Sequence, residues 1–281
     1  MNRILATLSF FTRLPFWRLS DIPKEAYERV VPLWPLAGWL TSLIMYAVMY
    51  AAFNFLGYGD GLLCYVLALL ARIIVTGALH EDGLADFCDG FGGGTTRERT
   101  LEIMKDSHIG TYGVIGLIIY FLIITNAMCG VMNYADTIIF NDPSGLPIEQ
   151  WESTPLWLMP FTILFTADVM SKAVCSLTIY CLPYSRKESE AKNKLVYTRS
   201  TIADIMLTLL VSLVPCALLI AFVFPKFLIP ALVALVVTII THVLLMLYMR
   251  RRIGGYTGDC CGASFLICEC VFYLALLSIR N

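Results

Sequence analysis

The sequence predicts an all-α protein, a polytopic membrane helix bundle of about seven transmembrane helices preceded by an N-terminal interfacial helix. Three observations lead there. Of 281 residues, 58% are hydrophobic and only 15% charged, against about 25% charged in soluble domains. Seven stretches reach the roughly 20 apolar residues that a bilayer core demands. Positive charge gathers on one side of those stretches. The same figures exclude a disordered chain and a disulfide-stapled secreted module, and they argue against a soluble enzyme. A net charge of −1 gives no basic excess, so no nucleic-acid partner is expected. Most of the ten cysteines lie inside apolar runs, where the side chain acts as a small hydrophobe. Cys260-Cys261 and Cys268-x-Cys270 lack the paired spacing of a zinc site.

The elements follow in order, within one membrane domain covering 1–281. In the arm 1–30, Ile4, Leu8 and Phe11 share one helical face with Arg3 and Arg13 nearby. That pattern predicts a helix lying in the membrane interface rather than a secretory signal. The spans are expected at 34–56, 61–79, 109–132, 155–182, 201–224, 227–249 and 262–279, with Pro225 in a turn. Asp168 and Lys172, four apart in the fourth span, are expected to pair. Arg72 in the second span and Glu269 in the seventh either neutralise each other across helices or line a polar cavity. His242, without a carboxylate neighbour in sequence, reads as a packed, hydrogen-bonded histidine. The arm and the connections at 80–108, 183–200 and 250–261 hold sixteen of the Lys and Arg residues. The other side holds only Lys226 and Arg280. The excess of positive charge on cytoplasmic loops then places the arm and these connections in the cytoplasm, on the inner face of a cell membrane.

Chemistry concentrates in those connections. Between residues 80 and 90, Asp82, Asp86 and Asp89 are spaced i, i+4, i+7, which on a helix puts three carboxylates on one face. Such a face repels itself without a cation. Dense oxygen ligands suit Mg²⁺, which arrives with phosphate. The competing reading is a solvated acidic loop. Gly92, Gly93 and Gly94 follow, with Arg97. Backbone amides of a Gly-rich turn cradle phosphate and an arginine adds charge, although a plain flexible loop reads equally well. At the third span, Lys105 can neutralise a phosphate, Asp106 can bind a metal and His108 can move a proton. The last connection, Gly254-Gly255-Tyr256-Thr257-Gly258-Asp259, offers a tight turn with one carboxylate.

Three motifs together carry a resemblance. They are His80-x-Asp82-Gly83-Leu84-Ala85-Asp86-x-x-Asp89-Gly90, Ile103-Met104-Lys105-Asp106-Ser107-x-Ile109-Gly110-Thr111-x-Gly113, and Gly254-Gly255-x-Thr257-Gly258-Asp259-x-x-Gly262-Ala263. In this order they resemble the cobalamin synthase family, whose activity is adenosylcobinamide-GDP ribazoletransferase. Phe11-Thr12-Arg13-Leu14-Pro15 and Pro35-Leu36-x-Gly38 look like that family too. Glu81 departs from its pattern, where an apolar residue is usual, and Lys172 stands where arginine is common. The resemblance implies a Mg²⁺-dependent phosphotransferase with adenosylcobinamide-GDP and α-ribazole, or its 5′-phosphate, as substrates and GMP as leaving group. It further implies Asp82, Asp86 and Asp89 as metal ligands, with Asp106 and Asp259 behind them. His80 or His108 would accept the proton, and Lys105 and Arg97 would clamp phosphate, with Gly92, Gly93, Thr257 and Gly258 lining the substrate. A homo-oligomer, or association with other cobalamin-assembly enzymes, stays open. A CDP-alcohol phosphotransferase would carry Asp-Gly-x-x-Ala-Arg, which is absent here. A transporter would show an inverted repeat, and none is visible.

Overall fold

The computed structural model describes residues 1–56, 61–140, 158–186, 197, 201–223 and 228–278. Among them the chain forms α1 (Asn2–Phe11), α2 (Lys24–Tyr27), α3 (Trp34–Leu56), α4 (Gly61–Thr76), α5 (Leu79–Gly93), α6 (Arg97–Ile103), α7 (Thr111–Phe140), α8 (Leu158–Cys181), α9 (Ile202–Val223), α10 (Leu228–Ile253) and α11 (Gly258–Ser278). α11 is the axis of the bundle. It packs against α5, α7, α8 and α10, while α3 packs against α4 and α8. Helices apolar on every face belong inside a bundle or in lipid, and both cases occur. α8 and α11 are buried almost around their circumference. α7, α9 and α10 turn residues such as Ile118, Leu122, Leu210 and Leu244 outward.

Five helical segments are long and apolar enough to cross a membrane: Val31–Leu56, Thr111–Val131, Leu158–Cys181, Leu228–Ile253 and Gly258–Ser278. The expected second span falls instead on α4, which passes only together with α5 and is bent from it by 91°. The expected fifth falls on α9, whose Ile202–Leu218 is a shorter apolar helix. The bend has a local cause. Gly77 and Ala78 are both left-handed, at φ 66° and 60°, and the Ala78 amide donates to Ile73 O at 3.0 Å. This is a Schellman-type ending. The arm completes it, because the Arg13 amide donates to Val75 O at 2.7 Å.

Two expectations change here. The 80–108 connection is not a loop: α5 and α6 occupy most of it. Its glycines and acids lower hydropathy without breaking the helix, because Leu84, Phe87 and Phe91 turn inward and Thr96 caps α6 by accepting from the Arg99 amide at 3.2 Å. On α1, Phe11 faces the protein, 5.6 Å edge-on to Trp34, while Ile4 is exposed. The connection expected at 133–154 starts as the end of α7. The remainder of it, with Lys187, Lys192, Lys194, Arg199, Pro225, Lys226 and Arg280, lies outside the described residues.

The charges within the expected spans are paired, whereas Glu81 on α5 is buried with neither carboxylate oxygen bonded among the described residues. Arg72 Nη1 reaches both Glu269 carboxylate oxygens, at 2.6 and 2.7 Å, and its Nη2 donates to Tyr120 Oη at 2.7 Å. One guanidinium thus joins α4, α7 and α11, with arginine and glutamate both fully buried. Lys172 pairs with Asp168, which also accepts from Thr41 Oγ1 at 2.6 Å. His242 is buried with Nε2 3.1 Å from Thr178 Oγ1. Removing one member of a buried pair strands the other charge, at about 3–5 kcal/mol. Glu269→Leu is therefore expected to lower stability in detergent by that order. The paired change Arg72→Met with Glu269→Leu should be milder, as thermal unfolding followed by circular dichroism would read.

Candidate active site

α5 touches two helices whose N-termini lie far away in sequence. Toward α11 the approach is backbone on backbone. A Cβ on Gly83 would stand 2.9 Å from Asp259 O and 3.3 Å from Gly262 Cα, and one on Gly262 would stand 3.2 Å from His80 O. Glycine at both positions lets the helices meet at this distance. Toward α7 the contact is a capping interaction. Asp89 is buried, and its Oδ2 accepts from the Gly110 amide at 2.7 Å and its Oδ1 from the Gly113 amide at 2.8 Å. Free amides at a helix N-terminus favour such a carboxylate. The three motifs thus converge on α5.

Beside the α5–α11 contact is a cavity of about 220 Å³. Asp82 and Asp259 line it, together with Lys172 and Arg186. Its other walls are mostly aromatic, among them Phe11, Trp34, Tyr197 and Phe265. Asp82 is exposed, whereas Asp259 is buried. Arg186 is held by its Nη2 donating to Leu101 O at 3.1 Å. The turn carrying it is fixed to the turn before α11, because the Tyr256 amide donates to Pro183 O at 3.0 Å and the Ser185 amide to Tyr256 O at 2.9 Å. Burial pushes the phenols of Tyr184, Tyr197 and Tyr256 above their ordinary value, so these walls are uncharged at neutral pH.

Of the expected site residues, His80, Asp82, Gly258 and Asp259 line this cavity. His80 is wedged between Phe11, stacked at 5.8 Å, and Phe265 at 4.6 Å. Both its ring nitrogens are buried without a hydrogen-bond partner among the described residues. Thr257 caps α11, its Oγ1 accepting from the Cys260 amide at 3.4 Å. Asp86 is half-buried on α5. Gly92 and Gly93 lie within the α5 helix rather than in a turn, so their amides belong to the helix ladder and form no phosphate cradle. Arg97 ties elements together instead of lining the cavity: its Nε donates to Ile253 O at 2.9 Å and its Nη2 to Ser185 O at 2.8 Å. Lys105 is exposed. Asp106 and His108 are exposed and bonded to each other at 2.7 Å. The amide and ring of His108 hold the Asp106 carboxyl below its ordinary value. No group of three His, Cys, Asp or Glu side chains is arranged to hold a metal among the described residues. The reading of Asp82, Asp86 and Asp89 as one metal face meets a physical obstacle at Asp89, whose oxygens both serve α7. Sequence reasoning missed Arg186, Lys172 and the aromatic walls as lining of one cavity, because they come from separate elements: Arg186 reads as one more cation of a basic connection and Lys172 as half of an intrahelical pair.

Residues 3–277 match the family profile described as Cobalamin-5-phosphate synthase. The chain is 33% identical over 281 residues to the adenosylcobinamide-GDP ribazoletransferase of Shewanella sp. (strain W3-18-1), covering 100% of this chain and 95% of that protein. The same named protein of Shewanella amazonensis is 33% identical over 278 residues, and that of Shewanella oneidensis 31% over 279. Each of these covers 99% of this chain and 95% of the relative. No solved structure matches the chain.

The cap at Asp89 is testable. Two amides donating to a buried carboxylate are worth roughly 1–3 kcal/mol. Asp89→Ala is expected to lower the thermal midpoint in detergent, with residual activity following the folded fraction. An Asp89→Ala protein of unaltered stability and no turnover would reassign this carboxylate to the chemistry.

Proposed function

The chain belongs to the cobalamin-5-phosphate synthase family, and from that premise we propose that it is an adenosylcobinamide-GDP ribazoletransferase. A hydroxyl of α-ribazole, or of its 5′-phosphate, attacks the phosphorus next to the cobinamide arm of adenosylcobinamide-GDP. A P–O bond forms to the acceptor, the P–O bond to GMP breaks, and cobalamin or its 5′-phosphate results. The observation that carries this reading is the meeting of Asp82 and Asp259, from motifs at opposite ends of the chain, in one cavity with Arg186.

Phosphoryl transfer asks a protein mainly for alignment and charge neutralisation. Two carboxylates on one cavity fit Mg²⁺, which is commonly held by one or two carboxylates plus substrate phosphates. Asp82 and Asp259 would hold it, with Asp86 one turn along α5. When bound, the ion neutralises the diphosphate and the departing GMP. Arg186 adds a fixed cation beside them. A loose transition state makes little demand on a general base, so the hydroxyl proton passes late to water at the cavity opening. His80 acts as a positioning residue, since its nitrogens are shut between two rings. Asp89 sets the angle between α5 and α7.

α3, α4, α7, α8, α9, α10 and α11 are read as seven crossings, with α5 and α6 on the cytoplasmic face and α1 at the interface. The charge bias of the connections supports this orientation. It puts the cavity at the cytoplasmic end of the bundle in the inner membrane, where water-soluble nucleotides reach it.

Purified chain in detergent, given adenosylcobinamide-GDP, Mg²⁺ and either acceptor, is expected to release GMP and form corrinoid product in equal amounts. Absence of both products would overturn the reading. Turnover without a membrane gradient separates it from transport. Asp82→Asn and Asp259→Asn are each expected to cut kcat roughly 100-fold or more, since ion-mediated charge stabilisation is worth several kcal/mol and each 1.36 kcal/mol is tenfold.

A further inference from the structure

The cavity is uneven. Its charged lining includes Asp82, which is exposed, Asp259 and Arg186. Another part of its lining is an aromatic sleeve: Phe11 meets Trp34 edge-on at 5.6 Å, and Trp34 meets Tyr197 edge-on at 5.8 Å. Lys172 also lines the cavity, with its Nζ 3.8 Å from the centre of the Phe265 ring. Its hydrogen-bond acceptor among the described residues is Asp168. An ammonium has three N–H groups, so two remain to be directed elsewhere. The Phe265 face under it is favourable for a cation. Lys172 itself is almost completely buried and lines the cavity, so its remaining N–H groups are available to an acceptor that enters the sleeve.

Size and polarity narrow the occupant. The whole cavity, its charged lining included, is about 220 Å³, below the roughly 300–1,000 Å³ of pockets for drug-sized ligands, which suits a fragment such as one base better than a corrinoid. Guanine carries an edge of adjacent donors and acceptors, each needing a buried partner. A benzimidazole-type base attached to ribose carries no N–H donor and one free ring nitrogen that accepts. Lys172 donates only, so it matches the accepting ring nitrogen of the second and not the N–H donors of the first. Aromatic faces hold such a ring by stacking, at about 1–3 kcal/mol for a nucleobase. Resting on the transferase reading above, we propose that this sleeve holds the heteroaromatic base of the acceptor, with Lys172 donating a hydrogen bond to its free ring nitrogen. The ribose then points to the charged lining, where its hydroxyl meets the diphosphate beside Asp82 and Asp259. Phe11 makes the N-terminal helix a wall of the acceptor site, and Lys172 becomes a specificity-determining residue.

The test compares α-ribazole with its indole analogue, in which the free ring nitrogen is replaced by C–H. With the unaltered protein, the analogue is expected to raise the acceptor KM at least tenfold and leave the KM for adenosylcobinamide-GDP unchanged. In Asp168→Asn with Lys172→Met, which removes both charges together, the two acceptors should differ less than twofold. Phe11→Ala should raise both acceptor KM values and spare that of the donor. Equal KM values for the two acceptors with the unaltered protein would overturn the proposal, and this arm needs no variant to fold. A rise confined to the donor KM in either variant would overturn it as well, by giving the sleeve to guanine. Failure of the transferase reading looks different: no GMP is released with any acceptor.

Discussion

The site depends on one close approach, the crossing of α5 over the start of α11 at Gly83 and Gly262. A Cβ at either position would press on backbone of the other helix, and backbone does not yield as a flexible side chain does. The consequence is geometric. Asp82 and His80 on α5 and Asp259 on α11 share a wall because no side chains separate their helices at that level. α5 can take this position only because α4 stops at Gly77 and Ala78 and the chain turns by 91°. The ending is closed by the arm, through Arg13 and the free carbonyl of Val75. The N-terminal segment is thereby part of the architecture around the cavity, and Phe11 enters its wall by the same route.

Two buried ion pairs hold the helices beneath that crossing. Hydrophobic matching between helices in lipid is weak, since lipid tails are as apolar as leucine. Arg72 supplies direction that packing alone lacks. Its planar fork satisfies Glu269 on α11 and Tyr120 on α7 at once, which fixes the register of three helices. Asp168 and Lys172 do related work beside the cavity, where Thr41 takes the second carboxylate oxygen. The difference lies in what remains unused. Glu269 has both oxygens on one arginine, whereas Lys172 faces a cavity with donors to spare.

Much of this architecture was visible in one dimension. A run of about 20 apolar residues announces a span whatever its neighbours, and the cost of an unpaired charge in the bilayer made pairing one reading of Arg72 and of Lys172, with a polar cavity the other reading for Arg72. α5 was harder, because glycine and aspartate lower local hydropathy in a helix as they do in a loop. What marks 79–93 as helical is the inward stripe of Leu84, Phe87 and Phe91, which is short beside the flanking spans. Asp89 shows a second limit. Spacing of i, i+4, i+7 describes a shared face, but a carboxylate on that face is free for metal only if nothing else claims it. Here the amides of Gly110 and Gly113 do, and no local pattern could reveal a partner twenty residues away. The aromatic sleeve was invisible for a related reason. Phe11, Trp34, Tyr197 and Phe265 come from four separate segments, and each alone is an ordinary residue of a membrane protein.

A cavity lined both by charged groups and by aromatic rings suits the proposed reaction between unlike partners. The donor of the proposed transfer brings a diphosphate, whose charge needs neutralising at a place where water and nucleotide arrive. The acceptor brings a flat apolar ring, which gains most from leaving water. A site uniform in polarity would serve one of them poorly: a charged pocket would leave the ring without stacking, and an apolar one would strand the phosphates. A mixed lining beside the α5–α11 crossing meets both demands. The helix ends supply charged groups, and the bundle supplies rings. Little covalent work is asked of the protein in such a transfer. What its residues must do is hold two substrates in line, and the backbone contact between two glycines sets the spacing from which that alignment follows.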